Sequence, residues 1–354
     1  MPNVCVVIVH YHAGDRLARC LEALSKQTYN DFNVLVVENG SIEENVRQTI
    51  ATYAQKVGLG VELIDAGSNL GFAAANNLAV AQTQSPWVAF LNPDAYAYPD
   101  WLERLIIATG ENPQTDAFGS LQIDAIDETR LDGMGDVMHL LGIAYRGGFG
   151  WPTDKVLPSG ECFAPCAAAA LYKRSIFQIL GGFDERFFCY GEDVDLGFRL
   201  RLAGGHSIQL RDAIVLHEGS GVTGRSSDFT VYHGHRNRIW LAYKNFPSAV
   251  YWMMLPFHLL FNGVMFVRSV LNGTVKAYWR AMVDGYGGLP RFTFDRRSLQ
   301  KARKVSVGSL MKWMAWSPLD LIRRRPRLRP LDHDEGVCAE REAEANREER
   351  SSKL

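Results

Sequence analysis

Hydrophobic and polar positions alternate along the first hundred residues in a way that predicts strands and helices in turn. Val4 to Val9 is an unbroken apolar run, too short to be anything but a buried strand. Leu17, Leu21 and Leu24 recur at i, i+4 and i+7 within 15–27, which predicts a helix. Val34–Val37 is apolar again, completing a βαβ unit. The alternation continues with a helix near 43–56, a strand over Val61–Ile64, a helix over 73–81 and a strand over Trp87–Leu91. Continuous apolar strands of this kind belong to a parallel sheet covered on both faces, whose ligands sit at the carboxyl ends of the strands. Those ends read His10-Tyr11-His12, Glu38-Asn39-Gly40-Ser41, Asp65 and Asn92-Pro93-Asp94.

From Gly110 to Gly160 the periodicity loosens, and the segment reads as acceptor-shaping loops. A strand over 167–172 and a helix over 174–180 follow. A second helix opens at Glu192-Asp193-Val194-Asp195 and stops at Gly204-Gly205. Asn245 to Val267 is free of Lys, Arg, Asp and Glu for 23 residues, long enough to span a bilayer. Pro247, Pro256, His258 and Asn262 interrupt it. A single crossing would place the basic stretch behind it against the positive-inside tendency, so an in-plane or re-entrant helix pair fits better. A core helix pair is the competing reading. Three regions result: an α/β domain over 1–244, an apolar and basic helical region over 245–330 associated with a membrane, and a charged tail over 331–354 expected to be disordered.

Composition narrows the choice. The chain has 354 residues, with 38 Lys+Arg against 39 Asp+Glu, a near-neutral balance that argues against a nucleic-acid partner. Charge is nonetheless segregated: twelve basic and two acidic residues lie between Arg291 and Arg329, and eight acidic and three basic between Asp332 and Arg350. Six scattered cysteines without zinc-site spacing predict free thiols in a reducing compartment. The expected location is cytoplasmic, peripheral to the inner membrane.

Several polar clusters are suited to chemistry. Asp94, directly after a buried strand, suits a hard divalent cation shared with substrate phosphates, although a lone Asp there also closes a turn. Glu192, Asp193 and Asp195 crowd one helix start, where the helix dipole stabilises a carboxylate. Capping needs only one of them, and the mutual repulsion of three suggests use. His217 follows the apolar run 214–216 and is either a metal ligand or a satisfied polar group. Asn69-Leu70-Gly71-Phe72, with Asn76-Asn77, is a tight turn into a helix, where glycine permits close approach of a ligand. Dinucleotide, P-loop and nucleophile-elbow motifs are absent from the sequence.

In order along the chain, eight segments resemble the family-2 glycosyltransferases with the GT-A fold, in particular the rhamnosyltransferase-like branch that extends lipid-linked glycans. They are Val6–Tyr11, Leu21–Gln27, Val36–Ser41, Asn69–Phe72 with Asn76-Asn77, Leu91–Asp94, Gly181–Asp184, Gly191–Leu196 and His217–Ser220. The resemblance covers about residues 3–245. It implies a mainly parallel sheet flanked by helices and an inverting, metal-dependent transfer of one sugar, dTDP-rhamnose favoured, to a lipid-linked glycan in cell-surface polysaccharide synthesis. Asp193 would be the general base, with Glu192 and Asp195 as supporting acids. Asp94 and His217 would hold Mg²⁺ or Mn²⁺. The donor would meet His10, Tyr11, Glu38, Asn69, Gly71, Asn77, Asn92, Arg236 and Arg238. The chain departs from the family pattern in having Glu38 where Asp is usual, and in reducing the D-x-D motif to Asn92-Pro93-Asp94. A UDP-hexose or UDP-galactofuranose donor, or a catalytically silent binding module, remain alternatives at this point, as does an oligomer.

Overall fold

A computed structural model describes residues 1–41, 45–57, 60–219 and 227–331. The segments β1 (Val4–His10), α1 (Arg16–Leu24), β2 (Phe32–Glu38), α2 (Asn45–Val57), β3 (Val61–Asp65), α3 (Gly71–Gln82) and β4 (Trp87–Leu91) realise the alternation of the N-terminal sequence. Both faces of β1 are covered, which is why its apolar residues are continuous. Val4, Val6 and Ile8 pack with Leu17, Cys20 and Leu21 of α1, whereas Cys5, Val7 and Val9 pack with Ala73, Ala75 and Ala79 of α3. Period-two burial on two sides leaves no position for a polar residue until the strand ends at His10.

The chain continues through β5 (Ala95–Ala97), α4 (Trp101–Glu111), β6 (Ala117–Asp124), β7 (Leu131–Gly133), β8 (Asp136–His139), β9 (Ile143–Arg146) and β10 (Gly160–Glu161). It then forms β11 (Ala169–Lys173), α5 (Arg174–Ile179), α6 (Glu192–Leu202) and β12 (Ser207–His217). The main sheet has the order β10-β12-β6-β11-β4-β1-β2-β3. Strands β3, β2, β1 and β4 are parallel, β11 is antiparallel to β4 and β6, and β12 is again parallel to β6.

The stretch from Gly110 to Gly160 is therefore not a set of loops. It supplies β6, inside the sheet, and the β8–β9 hairpin beside it. These strands escape a reading by periodicity because most are three or four residues long and interrupted by glycine.

Helices α7 (Asp228–Asn245), α8 (Ser248–Leu271), α9 (Val275–Gly287), α10 (Thr293–Ala302), α11 (Val307–Lys312) and α12 (Pro318–Ile322) complete the described chain. They share a core with the sheet domain: Phe163 and Phe198 pack in one cluster with Trp240, Phe246, Phe292 and Leu310. Arg329 exchanges two backbone hydrogen bonds with Glu161, closing the chain onto β10.

The helix α8 is inside out. The two polar residues that interrupt its apolar sequence face the protein: His258 bonds the Leu141 carbonyl and Asn262 bonds Tyr286, both buried. The opposite side exposes Trp252, Phe257, Leu260, Val264, Val267 and Leu271. Gly273, at φ 73°, turns the chain back into α9. Residues 332–354, which include almost all of the expected charged tail, lie outside the described residues, as does Ser220 of the His217–Ser220 segment.

Candidate active site

The acidic start of α6 is built on a strained approach. Phe188 and Tyr190 have φ of 66° and 74°, and Gly191 has φ of 87°, so three of the four residues before Glu192 lie in the left-handed region. Such backbone persists only when its surroundings fix it. Asn237 does so, donating from Nδ2 to the carbonyls of Phe187 at 2.9 Å, Cys189 at 2.8 Å and Tyr190 at 2.7 Å. The turn delivers Asp193 to a cavity of about 330 Å³, lined also by Asn92, Asp136, Arg146, Tyr145 and Arg238.

The Asp193 carboxylate accepts the Ala167 N–H at 3.2 Å and its neighbour Val194 N–H at 2.8 Å. Burial raises its pKa despite those bonds, and burial together with the Asp193 charge raises Asp136 well above the carboxylate range. Glu192 is also raised well above it, by burial and then by Asp193. Burial and mutual repulsion thus act together on these carboxyls at the cavity wall, both disfavouring their ionisation.

Asp94 lies at the other end of a continuous polar chain. His217, paired in register with Ala95 and Asp124 at the end of β12, places Nε2 3.3 Å from Asp94 and 3.4 Å from the amide of Asn92. Its Nδ1 is 2.7 Å from Asp132. Asp132 bonds Arg146, which returns to the cavity wall beside Asp193. Burial opposes ionisation of Asp94, but the hydrogen bond and charge of His217 hold it below the usual carboxylate range. One carboxylate oxygen and one imidazole nitrogen on adjacent strand ends are a donor set that fits Mg²⁺ or Mn²⁺ completed by phosphate oxygens. A second group, Asp136, Cys166 and Asp193, has its polar atoms within 4.8 Å of one another. Its thiol is pushed by burial up to about 12 and stays protonated, so it suits a hard cation poorly.

The remaining expected donor residues divide. Glu38 at the end of β2 accepts from Ser41 N at 2.6 Å and pairs with His10 Nδ1 at 2.8 Å. Asn39 donates to Asn69, whose side chain also caps Gly71 N. A Cβ on Gly71, at φ 80°, would lie 2.5 Å from Phe188, so only glycine lets α3 start against the strained turn. These residues and the half-buried Tyr11 form the sheet edge next to the cavity, not its wall.

Packing places three of the expected site residues outside the cavity wall. Asn77 bonds both the carbonyl and the N–H of Phe183, fixing a turn away from the cavity. Asp195 is fully buried and pairs with Arg199 at 2.8 Å, Lys244 at 2.8 Å and Asn245 at 2.7 Å, so it anchors α6 to α7 instead of supporting the base. Arg236 lies 4.3 Å over the Trp240 ring and donates to Phe187 O, so it clamps the strained turn. Sequence reading missed Asp132, Asp136, Arg146 and Asn237; the carboxylate pair in Leu131-Asp-Gly-Met-Gly-Asp136 was its one visible signal.

Residues 5–181 match the family model described as glycosyl transferase family 2. An N-acetylglucosaminyl-diphospho-decaprenol L-rhamnosyltransferase of Mycobacterium tuberculosis is 31% identical over 75% of this chain and 91% of its own length. The chain belongs to glycosyl transferase family 2. This family-2 glycosyltransferase is also 28% identical to the O-antigen biosynthesis protein RfbC of Myxococcus xanthus, over 62% of this chain but 17% of that protein. Among solved structures, the mannosyltransferase PcManGT of Pyrobaculum calidifontis, in complex with GDP-Man and Mn²⁺, superposes with a TM-score of 0.50 at 16% identity, covering 85% of this chain and 86% of that one. GalNAc-T7 with UDP, GalNAc and Mn²⁺ does so with a TM-score of 0.61 at 14% identity, covering 93% and 59%. The sheet, helices and order of elements of this glycosyltransferase are those of the GT-A fold, in the rhamnosyltransferase-like branch.

Proposed function

We propose that the enzyme transfers one sugar, rhamnose from dTDP-rhamnose, to a hydroxyl of a lipid-linked glycan, with inversion at the anomeric carbon. The observation that carries this reading is Asp193: a half-buried carboxylate, fixed by two backbone N–H groups, on the wall of a cavity that also includes Asn92, the residue directly after β4. Its raised pKa makes it a stronger base than a solvated Asp. The Asp193 carboxylate takes the proton of the acceptor hydroxyl as that oxygen bonds to the anomeric carbon. The bond from that carbon to the diphosphate oxygen breaks, and its electron pair leaves with the nucleoside diphosphate. A divalent cation bound by Asp94 and His217 would neutralise charge on that leaving diphosphate. Arg146, on the same wall, adds positive charge without titrating.

The lipid-linked acceptor is supported by the name of the mycobacterial relative and by the exposed apolar side of α8, which suits the cytoplasmic face of a membrane. The test is transfer of labelled rhamnose from dTDP-rhamnose to polyprenyl-diphospho-N-acetylglucosamine. Wild-type enzyme should form product, and Asp193→Asn should fold and lose about 10²-fold or more in kcat. Unchanged turnover in the variant would remove Asp193 from the role. Product from UDP-hexose or UDP-galactofuranose alone would reject rhamnose as the donor sugar.

A further inference from the structure

Arg238 is a buried cation without an anion. It is 8% exposed, and Nη2 donates to Asn262 on α8, while Nε and Nη1 have no hydrogen-bond partner. Its guanidinium lies 4.9 Å from the Phe261 ring centre. Leaving guanidinium donors unpaired out of water is costly, and a ligand that reached them would offset that cost.

The surroundings repeat this excess. His235, three residues earlier on α7 and so on the same face, lines a second cavity of about 650 Å³ with Arg268 and Ser269 of α8, Asn272 just after it, and Arg324. Among the described residues no carboxylate forms an ion pair with Arg238, Arg268 or Arg324, although neighbouring Arg325 has Asp320. Arg324 stacks over Tyr145, 5.8 Å from its ring centre, and Tyr145 stands with Arg238 on the wall of the Asp193 cavity. A path of positive charge thus leads from the catalytic cavity to the space between α7 and α8. Beside it, Val264, Val267, Val270 and Leu271 of α8 are exposed.

We propose that Arg238, Arg268 and Arg324 bind the diphosphate of the lipid-linked acceptor, with the acceptor sugar directed to Asp193 and the lipid chain laid along the exposed side of α8. This rests on the acceptor reading above. Three guanidiniums without a carboxylate match a group of at least two negative charges, and planar forks suit phosphate oxygens. The adjoining apolar strip selects a diphosphate that carries a hydrocarbon chain over a soluble one.

The full chain is titrated calorimetrically in EDTA with farnesyl diphosphate, inorganic diphosphate and farnesol. Farnesyl diphosphate should bind at least about tenfold more tightly than either other probe. Arg268→Gln with Arg324→Gln should weaken its binding about tenfold or more, and the double Lys variant should retain most of it; thermal melts check folding. Unchanged affinity in the Gln variant, or equal affinity for farnesol, overturns the proposal. Equal loss of dTDP-rhamnose binding by the Gln variant would move these arginines to the donor and overturn it too. If farnesyl diphosphate behaves as expected but no sugar is transferred from any donor, the activity reading fails and this site stands.

Discussion

His217 Nδ1 lies 2.7 Å from an oxygen of Asp132, and both side chains are 1% exposed. That bond fixes the ring so that Nε2 points to Asp94. A partner on the far nitrogen sets both tautomer and orientation of a ligating histidine. Asp132→Asn should therefore weaken Mn²⁺ binding by about 10- to 100-fold, measured by calorimetry on folded protein. Wild-type affinity in that variant would show that Asp94 and His217 do not hold the cation.

The same pair predicts a pH dependence. Burial alone would depress the His217 pKa, but hydrogen bonds to Asp132 and Asp94 raise it from 6.5 to about 9. Stability contributed by a group raised on folding is complete below its unfolded value and disappears as pH rises through its folded value. Metal-free protein should lose up to about 3 kcal/mol of unfolding free energy between pH 6.5 and 9, and His217→Gln should flatten that slope. Denaturant titrations at intervals of pH read both. Mn²⁺ affinity should rise over the same interval, because the ligand must shed its proton.

Asp195 separates structure from chemistry within the acidic cluster. It is fully buried against Arg199, Lys244 and Asn245. Asp195→Ala leaves Arg199 without a carboxylate, while Lys244 keeps Asp184 at 2.7 Å, and should cost about 3–5 kcal/mol in urea denaturation. A loss below about 1 kcal/mol would mean that the pairs relax into solvent.

The inverted polarity of α8 predicts association with membranes. Trp252→Glu with Leu260→Glu changes two side chains that are 63% and 69% exposed, so the melting temperature should stay within a few degrees. Co-sedimentation with phosphatidylglycerol vesicles should fall sharply. Sedimentation equal to wild type would assign the apolar face to another contact.

How far the sequence reached is plain at β1 and α6. Val4–Val9 and the Leu17, Leu21, Leu24 spacing are local consequences of which faces are buried, so their elements could be read without coordinates. The polar residues after each apolar run were legible for the same reason, since burial ends where the strand ends. Short strands such as β8 and β9 carry too few residues to display a period, and so the hairpin bearing Asp136 and Arg146 was not.

Sequence alone was enough for the order of elements through β4, the GT-A class and the acids Asp94 and Asp193, because those depend on neighbours within a few turns or on the pattern of whole segments. Tertiary structure alone decided which acid is spent on packing, which arginine clamps a turn, and which stays without an anion. Charges act through space, and the partners here are far apart in the chain: His217 and Asp132 are separated by 85 positions and Asp195 and Lys244 by 49. What a carboxylate does depends on how water is excluded around it and which cation folding brings within a few ångströms.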